Sequence, residues 1–230
     1  MNSRLLPVDS TYGVVTYKLL IDGKDVSFKY DILSFSVNRE VNRISTARLV
    51  LKDGSASEET FAVSEGDDFI PGKSLELALG YDSKDQSIFQ GIIVRQTIRT
   101  AGQWDARLIV ECKDVAIRLT VGPHNRYFQN ITETEVVQNI LANYSGIQDD
   151  ITGFSSQPHP ELVQYQVSDW DFLLNRAECN GLVVLVEDGT LKILPPAQSS
   201  TPQMTLTYGS NILEFVTEMD SLCQYNKVLA

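Results

Sequence analysis

Three residues of the types used in covalent catalysis lie close together near the middle of the chain. Cys112, Asp114 and His124 could supply a thiol nucleophile, an orienting acid and a base. No signature of a cysteine hydrolase surrounds them. The local pattern instead predicts Cys112 inside a small barrel, Asp114 at a solvated strand end and His124 in a Pro-Gly loop. We therefore predict no catalytic residue here.

Acidic residues are a second source of possible chemistry, because paired carboxylates serve glycosidases and bind calcium. The adjacent pairs are Glu58-Glu59, Asp67-Asp68 and Asp149-Asp150, and two further acids, Asp169 and Asp171, flank Trp170. Adjacent acids in loops are commonly solvated, and no D-x-D-x-D-G ladder occurs. Helix capping accounts for the acids beside the tryptophan more simply than sugar binding does.

The remaining motifs also favour a protein without bound groups. Cys112, Cys179 and Cys223 are widely spaced, the only histidines are His124 and His159, and a zinc site needs four ligands at close spacing. No glycine-rich phosphate loop occurs. We expect no catalytic residues, no cofactor, no metal and no enzymatic activity.

Composition indicates a soluble globular protein without a nucleic-acid partner. The chain has 230 residues and a net charge of −11, and no run of Lys or Arg that would bind phosphates. The acidity is explained by solubility or by a surface that repels anions. No apolar run reaches membrane-spanning length, so no direct membrane insertion is expected. The first ten residues lack a secretory apolar segment, which predicts assembly in the cytoplasm and any export by another route.

The strongest local pattern covers residues 162–196. Ser168-Asp169-Trp170-Asp171 has the form of a capping box, and apolar residues then recur at helical spacing through Ala177. Gly181 follows the predicted helix end. Asp188-Gly189 is a two-residue turn between the predicted strands 182–187 and 190–194. The stretch is predicted to be a capped helix followed directly by a tight hairpin.

The preceding residues are rich in short alternating strands. We predict strands over 17–21, 26–28, 33–37, 47–52, 74–81, 87–100 and 106–112. Strands of this number and spacing favour a small barrel or a sandwich. Thr132 to Glu135 forms a second capping box before an amphipathic helix that ends at Gly146, and residues 147–160 form a polar connector. Two further strands are predicted over 204–208 and 211–218.

The string V-S-D-W-D-F-L-x-N-R-A-E-x-N-G-L, followed by V-x-D-G-x-L-K-I, resembles a stretch of the VgrG spike proteins of type VI secretion. The phage late-control gene D proteins and the hubs of other contractile injection systems share it. F-x-G-I-I and L-I-V-E-C-K-D-V-A-I-R-L earlier in the chain are similar to the same family. The residues that carry the motif are Ser168, Asp169, Trp170, Asp171, Phe172, Leu173, Asn175, Arg176, Glu178, Gly181, Asp188 and Gly189.

The resemblance implies an α+β, mainly β fold, in which two small antiparallel β-barrels flank a helix-containing insert. The expected parts are an N-terminal arm (1–13), a first barrel (14–120), the insert with its hairpin (121–196) and the start of a second barrel (197–230). It implies a homotrimeric hub at the base of the puncturing spike, which transmits force when the sheath contracts. The implied partners are an inner tube protein of the Hcp type, spike-tip and baseplate proteins, and effectors. The apparatus would be assembled in the cytoplasm and delivered outside the cell.

Two functions of other classes remain open from the residues alone. One is a β-domain that binds a small ligand or a glycan through loops 53–73 and 147–160. The other is a peptidoglycan hydrolase that uses acidic residues.

Overall fold

The computed structural model describes residues 13–55, 59–101, 105–196, 205–212 and 214–219. These residues fall into two compact units, one covering 13–196 and the other containing the described part of 197–230. Each unit is described by itself. The domain boundaries inferred from the sequence stay a prediction.

The first part of unit 13–196 is one antiparallel sheet of seven strands, in the order β2-β1-β5-β6-β7-β4-β3. The strands are β1 (Val15–Ile21), β2 (Lys24–Asp25), β3 (Ile32–Asn38), β4 (Thr46–Lys52), β5 (Ser74–Tyr81), β6 (Lys84–Ala101) and β7 (Asp105–Lys113). Alternate residues of the sheet face one core, which includes Leu19, Leu49, Leu77, Phe89 and Leu108. The mainly β class predicted from the sequence is confirmed. Between β2 and β3 no ladder occurs among the described residues, so barrel closure stays a prediction.

The insert contains both helices and two small sheets. After a 3₁₀ helix (Val115–Thr120), its elements are β8 (His124–Ile131), α1 (Glu133–Leu141), β9 (Gln148–Ile151), β10 (His159–Val167), α2 (Asp169–Cys179), β11 (Val183–Glu187) and β12 (Thr190–Leu194). Strands β8 and β10 form an antiparallel pair, and the second sheet has the order β11-β12-β9. A second core joins these elements, and the rings of Phe128 and Phe172 stack within it at 6.4 Å. None of the described helices is long and apolar enough to cross a membrane.

The two predicted helix starts differ in the structure. Thr132 and Glu135 form a complete capping box. The Ser168 hydroxyl accepts a hydrogen bond from the Asp171 N–H at 3.1 Å and donates to the Asp171 carboxylate at 2.6 Å. Asp171 therefore contacts the capping hydroxyl, whereas Glu135, with one more methylene, also accepts from the Thr132 backbone N–H at 2.9 Å.

Two strand predictions and one connector prediction in the unit 13–196 are wrong in detail. Residues 26–28 form a turn, because Asp25 accepts hydrogen bonds from both the N–H and the hydroxyl of Ser27. Leu33 is 52% exposed because a β-bulge between Ile32 and Ser34 shifts the alternation of β3. The predicted connector 147–160 contains β9, which pairs in parallel with β12.

The described part of 205–219 contains no strand, so the predicted strands 204–208 and 211–218 are wrong over these residues. Met204 and Leu213 lie outside the described residues. An isolated bridge joins Tyr208 to Ile212, and the Asn211 amide bonds the Thr207 N–H and the Thr205 carbonyl. A side chain that satisfies neighbouring backbone groups in this way favours a turn over a strand.

Candidate functional site: the joint between the first sheet and the insert

The hairpin between β11 and β12 ends in a turn whose two residues both have positive φ. Asp188 has φ 50° and Gly189 has φ 80°, as the Asp-Gly pattern predicts for a two-residue turn. A Cβ on Gly189 would lie 2.9 Å from the Gly146 carbonyl oxygen, so the position has no room for a larger residue. The tip is therefore shaped by its surroundings as well as by its own backbone.

The tip of this hairpin is fixed to the first sheet by polar contacts. The Asp188 carboxylate accepts a hydrogen bond from the Gln90 N–H at 2.9 Å and lies 3.2 Å from the Arg39 guanidinium. The Gly189 N–H donates to Asp114 at 2.9 Å. Asp114 also accepts from the Ala116 N–H at 2.9 Å and is fully buried. The Asp114 carboxylate therefore anchors the hairpin to the 3₁₀ helix. The prediction that Asp114 lies at a solvated strand end is wrong, because the residue is buried.

Burial raises the pKa of the Asp114 carboxyl above its usual value. Its hydrogen bonds from the backbone N–H groups of Ala116 and Gly189 oppose that rise, whereas nearby Asp188 adds to it. The carboxylate thus stays in the protein interior at an electrostatic penalty, which indicates that its position is structurally important.

The connection between β3 and β4 bonds the exposed edge of β11. The Asn42 N–H donates to the Val184 carbonyl and the Val184 N–H donates to the Asn42 side chain, both at 2.8 Å. The Ser45 hydroxyl donates to the Val186 carbonyl at 2.5 Å in a buried position. The first sheet therefore caps a strand edge of the insert, and the two parts are joined without a free hinge at this place.

Helix α2 carries the first residues of the sequence motif and is fixed by two buried acids. Asp169 is fully buried and accepts hydrogen bonds from Arg126, from Gln164 at 2.7 Å and from the Tyr144 hydroxyl at 2.6 Å. His124 Nε2 lies 3.7 Å from the same carboxylate. These contacts tie the start of α2 to β8, to β10 and to the turn that follows α1.

Burial alone would raise the pKa of Asp169, but the hydrogen bonds from Arg126, Gln164 and Tyr144 outweigh it and hold the pKa below its usual value. On the partner side, burial and the hydrogen bond to Asp169 raise the pKa of Tyr144 to about 12. The acid is therefore ionised and the phenol protonated at neutral pH.

The second acid, Glu133, anchors the other end of α2. Arg176 bonds both of its oxygens, His159 Nε2 lies at 2.9 Å, and the Asn180 amide donates at 3.3 Å. Burial alone would raise the pKa of Glu133, but the contact with Arg176 lowers it overall. Arg176, which helical spacing predicts on the outer side, lies at the inner edge with 18% of its side chain exposed.

The other motif residues have mainly structural positions. Phe172 and Leu173 lie in the second core, Gly181 ends α2 with φ 68°, and Asn175 is exposed. Trp170 and Glu178 line an open groove of about 750 Å³ between α2 and residues 38–46. The motif as a whole specifies how the helix and the hairpin attach to their neighbours.

The candidate catalytic and metal-binding residues considered from the sequence do not come together in the described part of the chain. Cys112 is 1% exposed in the first core, where burial raises its pKa to about 12. His124 lies beside Asp169 and so does not form the thiol site with Cys112 and Asp114. Asp68 binds Lys29 and Tyr30, each at 2.6 Å. Among the described residues, no three His, Cys, Asp or Glu side chains are grouped to hold a metal ion.

The side chains that hold the motif in place are not themselves part of it. Arg126, Gln164, Glu133 and His159 lie outside the motif, and their contacts appear only once the chain has folded. The one usable signal was a surplus acid, Asp169, beside a serine that already caps the helix.

The fold is that of phage-tail and type VI secretion proteins. The 43 kDa tail protein of prophage MuSo2 from Shewanella oneidensis matches with a TM-score of 0.61 and 12% identity over 79% of this chain and 53% of its own. A tail protein from Neisseria meningitidis matches with a TM-score of 0.61 and 18% identity over 84% and 53%. An Escherichia coli type VI secretion component, described as structurally similar to the T4 tail proteins gp27 and gp5, matches with a TM-score of 0.56 and 17% identity over 76% and 48%.

The chain thus spans about half the length of each of these solved structures. The family model of the Alg8 N-terminal domain matches residues 11–230, and the chain belongs to that family. No curated protein matches the chain by sequence. The coarse prediction of a tail-like and spike-like fold is confirmed, and the finer assignment is a matter of function.

Proposed function

We propose that this chain is part of the structural hub at the base of the puncturing spike of a contractile injection machine. The observation that carries the proposal is the likeness of its fold to phage-tail and type VI secretion proteins over about four fifths of the chain. The hub is a homotrimer that joins an inner tube of the Hcp type to the spike tip and baseplate, and it carries effectors. It is assembled in the cytoplasm and delivered outside the cell.

The joint supports a mechanical role, because force crosses a hub only if its parts do not move separately. Asp114, Asn42 and Ser45 connect the first sheet to the insert through hydrogen bonds, of which those of Asp114 and Ser45 are buried. Opening the joint would leave buried donors and acceptors without partners. Each such group destabilises the folded state by about 1–3 kcal/mol. In this role the chain needs no catalytic residue, cofactor, metal or nucleic acid.

The experiment is native mass spectrometry of the protein from its own source at several concentrations, combined with cross-linking to neighbouring proteins. We expect three copies, with cross-links to a tube protein. A strict monomer without tube contacts would overturn the proposal and leave the ligand-binding alternative. Cell-wall turnover that disappears on one Asp or Glu substitution would point to the hydrolase instead.

A test of the mechanical part uses Asp188→Ala with Asp171→Ala as its control. Both remove one exposed or half-exposed acid, but only Asp188 contacts Arg39 and the Gln90 N–H in the first sheet. We expect the Asp188 variant to give fewer assembled particles by electron microscopy and the Asp171 variant to assemble as the natural protein does. Equal assembly of both variants would contradict a force-bearing joint.

A further inference from the structure

Strand β6 extends well beyond the strand that pairs with it on one side. It has 18 residues, but β5 pairs with it only from Lys84 to Ile92. On its other side, the pairing of β6 with β7 continues to Ala101. The backbone of Ile93 bonds Gly72 and Lys73. Beyond that point no described strand pairs with the outer edge of β6, and all of residues 97–101 are exposed.

A strand edge of this kind is a template for another strand, and proteins commonly protect such edges with charges, bulges or covering loops. Here the Gln96 side chain donates to the Ser64 carbonyl at 3.1 Å, so a described loop contacts the beginning of the free part. The exposed apolar side chain of Ile98, 48% accessible, follows two residues later. Within the described part of unit 13–196, this edge is therefore available for pairing with a partner chain.

The sheet face that borders this edge is strongly cationic, although the whole chain is acidic. Cross-strand register and alternation place six basic side chains on the face of β4, β7 and β6 opposite the first core. They are Arg48, Lys52, Arg95, Arg99, Arg107 and Lys113. Where β6 pairs with β7, Glu111 is the one acid among the described side chains of this face, and Arg95 bonds it at 2.5 Å. We call this surface the cationic face.

Three of its cations occupy one row across adjacent strands. Lys52 lies opposite Arg107 on β4 and β7, and Arg107 lies opposite Arg99 on β7 and β6. The row ends at Arg99, on the free edge, where the next strand would add a residue. An acidic residue at that position would form an ion pair with Arg99.

A second charged row consists of Arg48, Glu111 and Arg95, and an uncharged row lies between the two. Val50, Ile109 and Thr97 are in register across the three strands, and Ile109 is only 9% exposed. An added strand would place every second side chain on this face, so its side chains could extend the charged and uncharged rows in turn. A phosphate backbone would place charge against the uncharged row as well.

We propose that the outer edge of β6 between Arg95 and Arg99 binds an extended acidic segment of a partner protein as an added antiparallel strand. Its acidic side chains lie opposite Arg99 and Arg95, with an apolar side chain opposite Ile98 and a β-branched one opposite Thr97. Main-chain hydrogen bonds provide affinity and the alternate side chains provide specificity. This surface is separate from the joint, and the inference holds whether or not the chain is a spike hub.

The test uses the full chain and the capped peptide Thr-Glu-Val-Thr-Gln-Glu-Thr, whose two glutamates face Arg95 and Arg99 in the proposed register. Fluorescence anisotropy at low salt measures its affinity, and amide hydrogen exchange locates the contact. We expect protection within residues 97–101, and loss of binding when both glutamates are replaced by glutamine. Protection elsewhere, or none, would overturn the proposal.

Variants separate the specific contact from general attraction. Arg99→Glu should weaken binding about fivefold or more, since it converts an ion pair into a repulsion. Lys84→Glu, the same charge change at the far end of β6, should leave binding within about twofold. Because Arg99 is exposed, Arg99→Glu should leave the unfolding midpoint nearly unchanged. If it fails to fold, Arg99→Gln replaces it. Equal weakening by the Arg99 and Lys84 variants would refute the site.

Backbone pairing is tested with two peptides that are N-methylated at alternate residues. Only one of the two sets of N–H groups faces β6 in an added strand, so one peptide should bind and the other should not. Binding of both peptides would exclude strand addition. Tighter binding of a duplex DNA oligonucleotide at the same salt concentration, with protection of the same amides, would identify a different class of partner and overturn the proposal.

Discussion

Replacement of Asp169 by asparagine tests whether helix α2 is held by its buried acid. The substitution keeps the size of the side chain but removes the charge that Arg126, Gln164 and Tyr144 share. It also introduces an NH₂ group among side chains that already donate. Arg126, with 25% of its side chain exposed, would keep a half-buried charge without its carboxylate.

Breaking a buried ion pair by removing one partner destabilises a protein by about 3–5 kcal/mol. Because Arg126 retains some contact with water, we expect the lower end, about 3 kcal/mol. The neighbouring Asp171 is an exposed acid in the first turn of the same helix. Asp171→Asn changes the same net charge, and we expect it to cost about 0.5 kcal/mol.

Urea denaturation of both variants, followed by tryptophan fluorescence and by circular dichroism, gives the free energy of unfolding. The double variant Asp169→Asn with Arg126→Met should lose less than the two single variants combined, because it leaves no unpaired charge. A loss below about 1 kcal/mol for Asp169→Asn, or equal losses for Asp169 and Asp171, would refute the assignment of Asp169 as an anchor.

Three further predictions concern the joint, the acid response and the thiols. Gly189→Ala should lower the free energy of unfolding by about 1 kcal/mol more than Gly181→Ala, because both have positive φ but only Gly189 faces a carbonyl oxygen at 2.9 Å; equal urea midpoints would contradict this. Since the folded state lowers the pKa of Asp169, its contribution should be constant at neutral pH and decline as pH falls below about 4, so denaturation curves of the natural protein and Asp169→Asn should converge there and not above. In a chain without the third cysteine, a thiol reagent should modify exposed Cys179 quickly and Cys112 only on unfolding; fast modification of both would contradict a closed first core.

Local signals in the sequence predicted the elements, and long-range contacts determined the rest. The Asp188-Gly189 turn and the capping box of Thr132 and Glu135 depend on a few neighbouring residues, so their chemistry is visible in the sequence. Asp169, in contrast, bonds Arg126 and Tyr144, which are 43 and 25 positions away. Nothing in the spacing of those residues indicates that they meet, so the sequence alone predicts Asp169 only as part of the helix cap.

Alternation also failed where the backbone departs from regular pairing. The bulge in β3 turns Leu33 outward, although the residue types of that strand alternate regularly. The short strand β9 has the polar sequence QDDI, and only its pairing with β12 makes it a strand. β-structure depends on neighbouring strands more than on intrinsic preference, which is why such segments escape a single sequence.

The docked hairpin tip also determines the order in which the chain acquires its structure. Asp188 contacts Arg39 across 149 positions and Gln90 across 98, and Gly189 contacts Asp114 across 75. Contacts across such long separations form late, because the chain loses entropy when each loop closes and the stabilising contact forms only afterwards. During synthesis the first sheet can form before residue 188 is made, and the tip then meets a completed surface. Gly189→Ala should therefore speed unfolding and leave the refolding rate nearly unchanged, which stopped-flow measurements would show; slower refolding would place the joint in the folding nucleus.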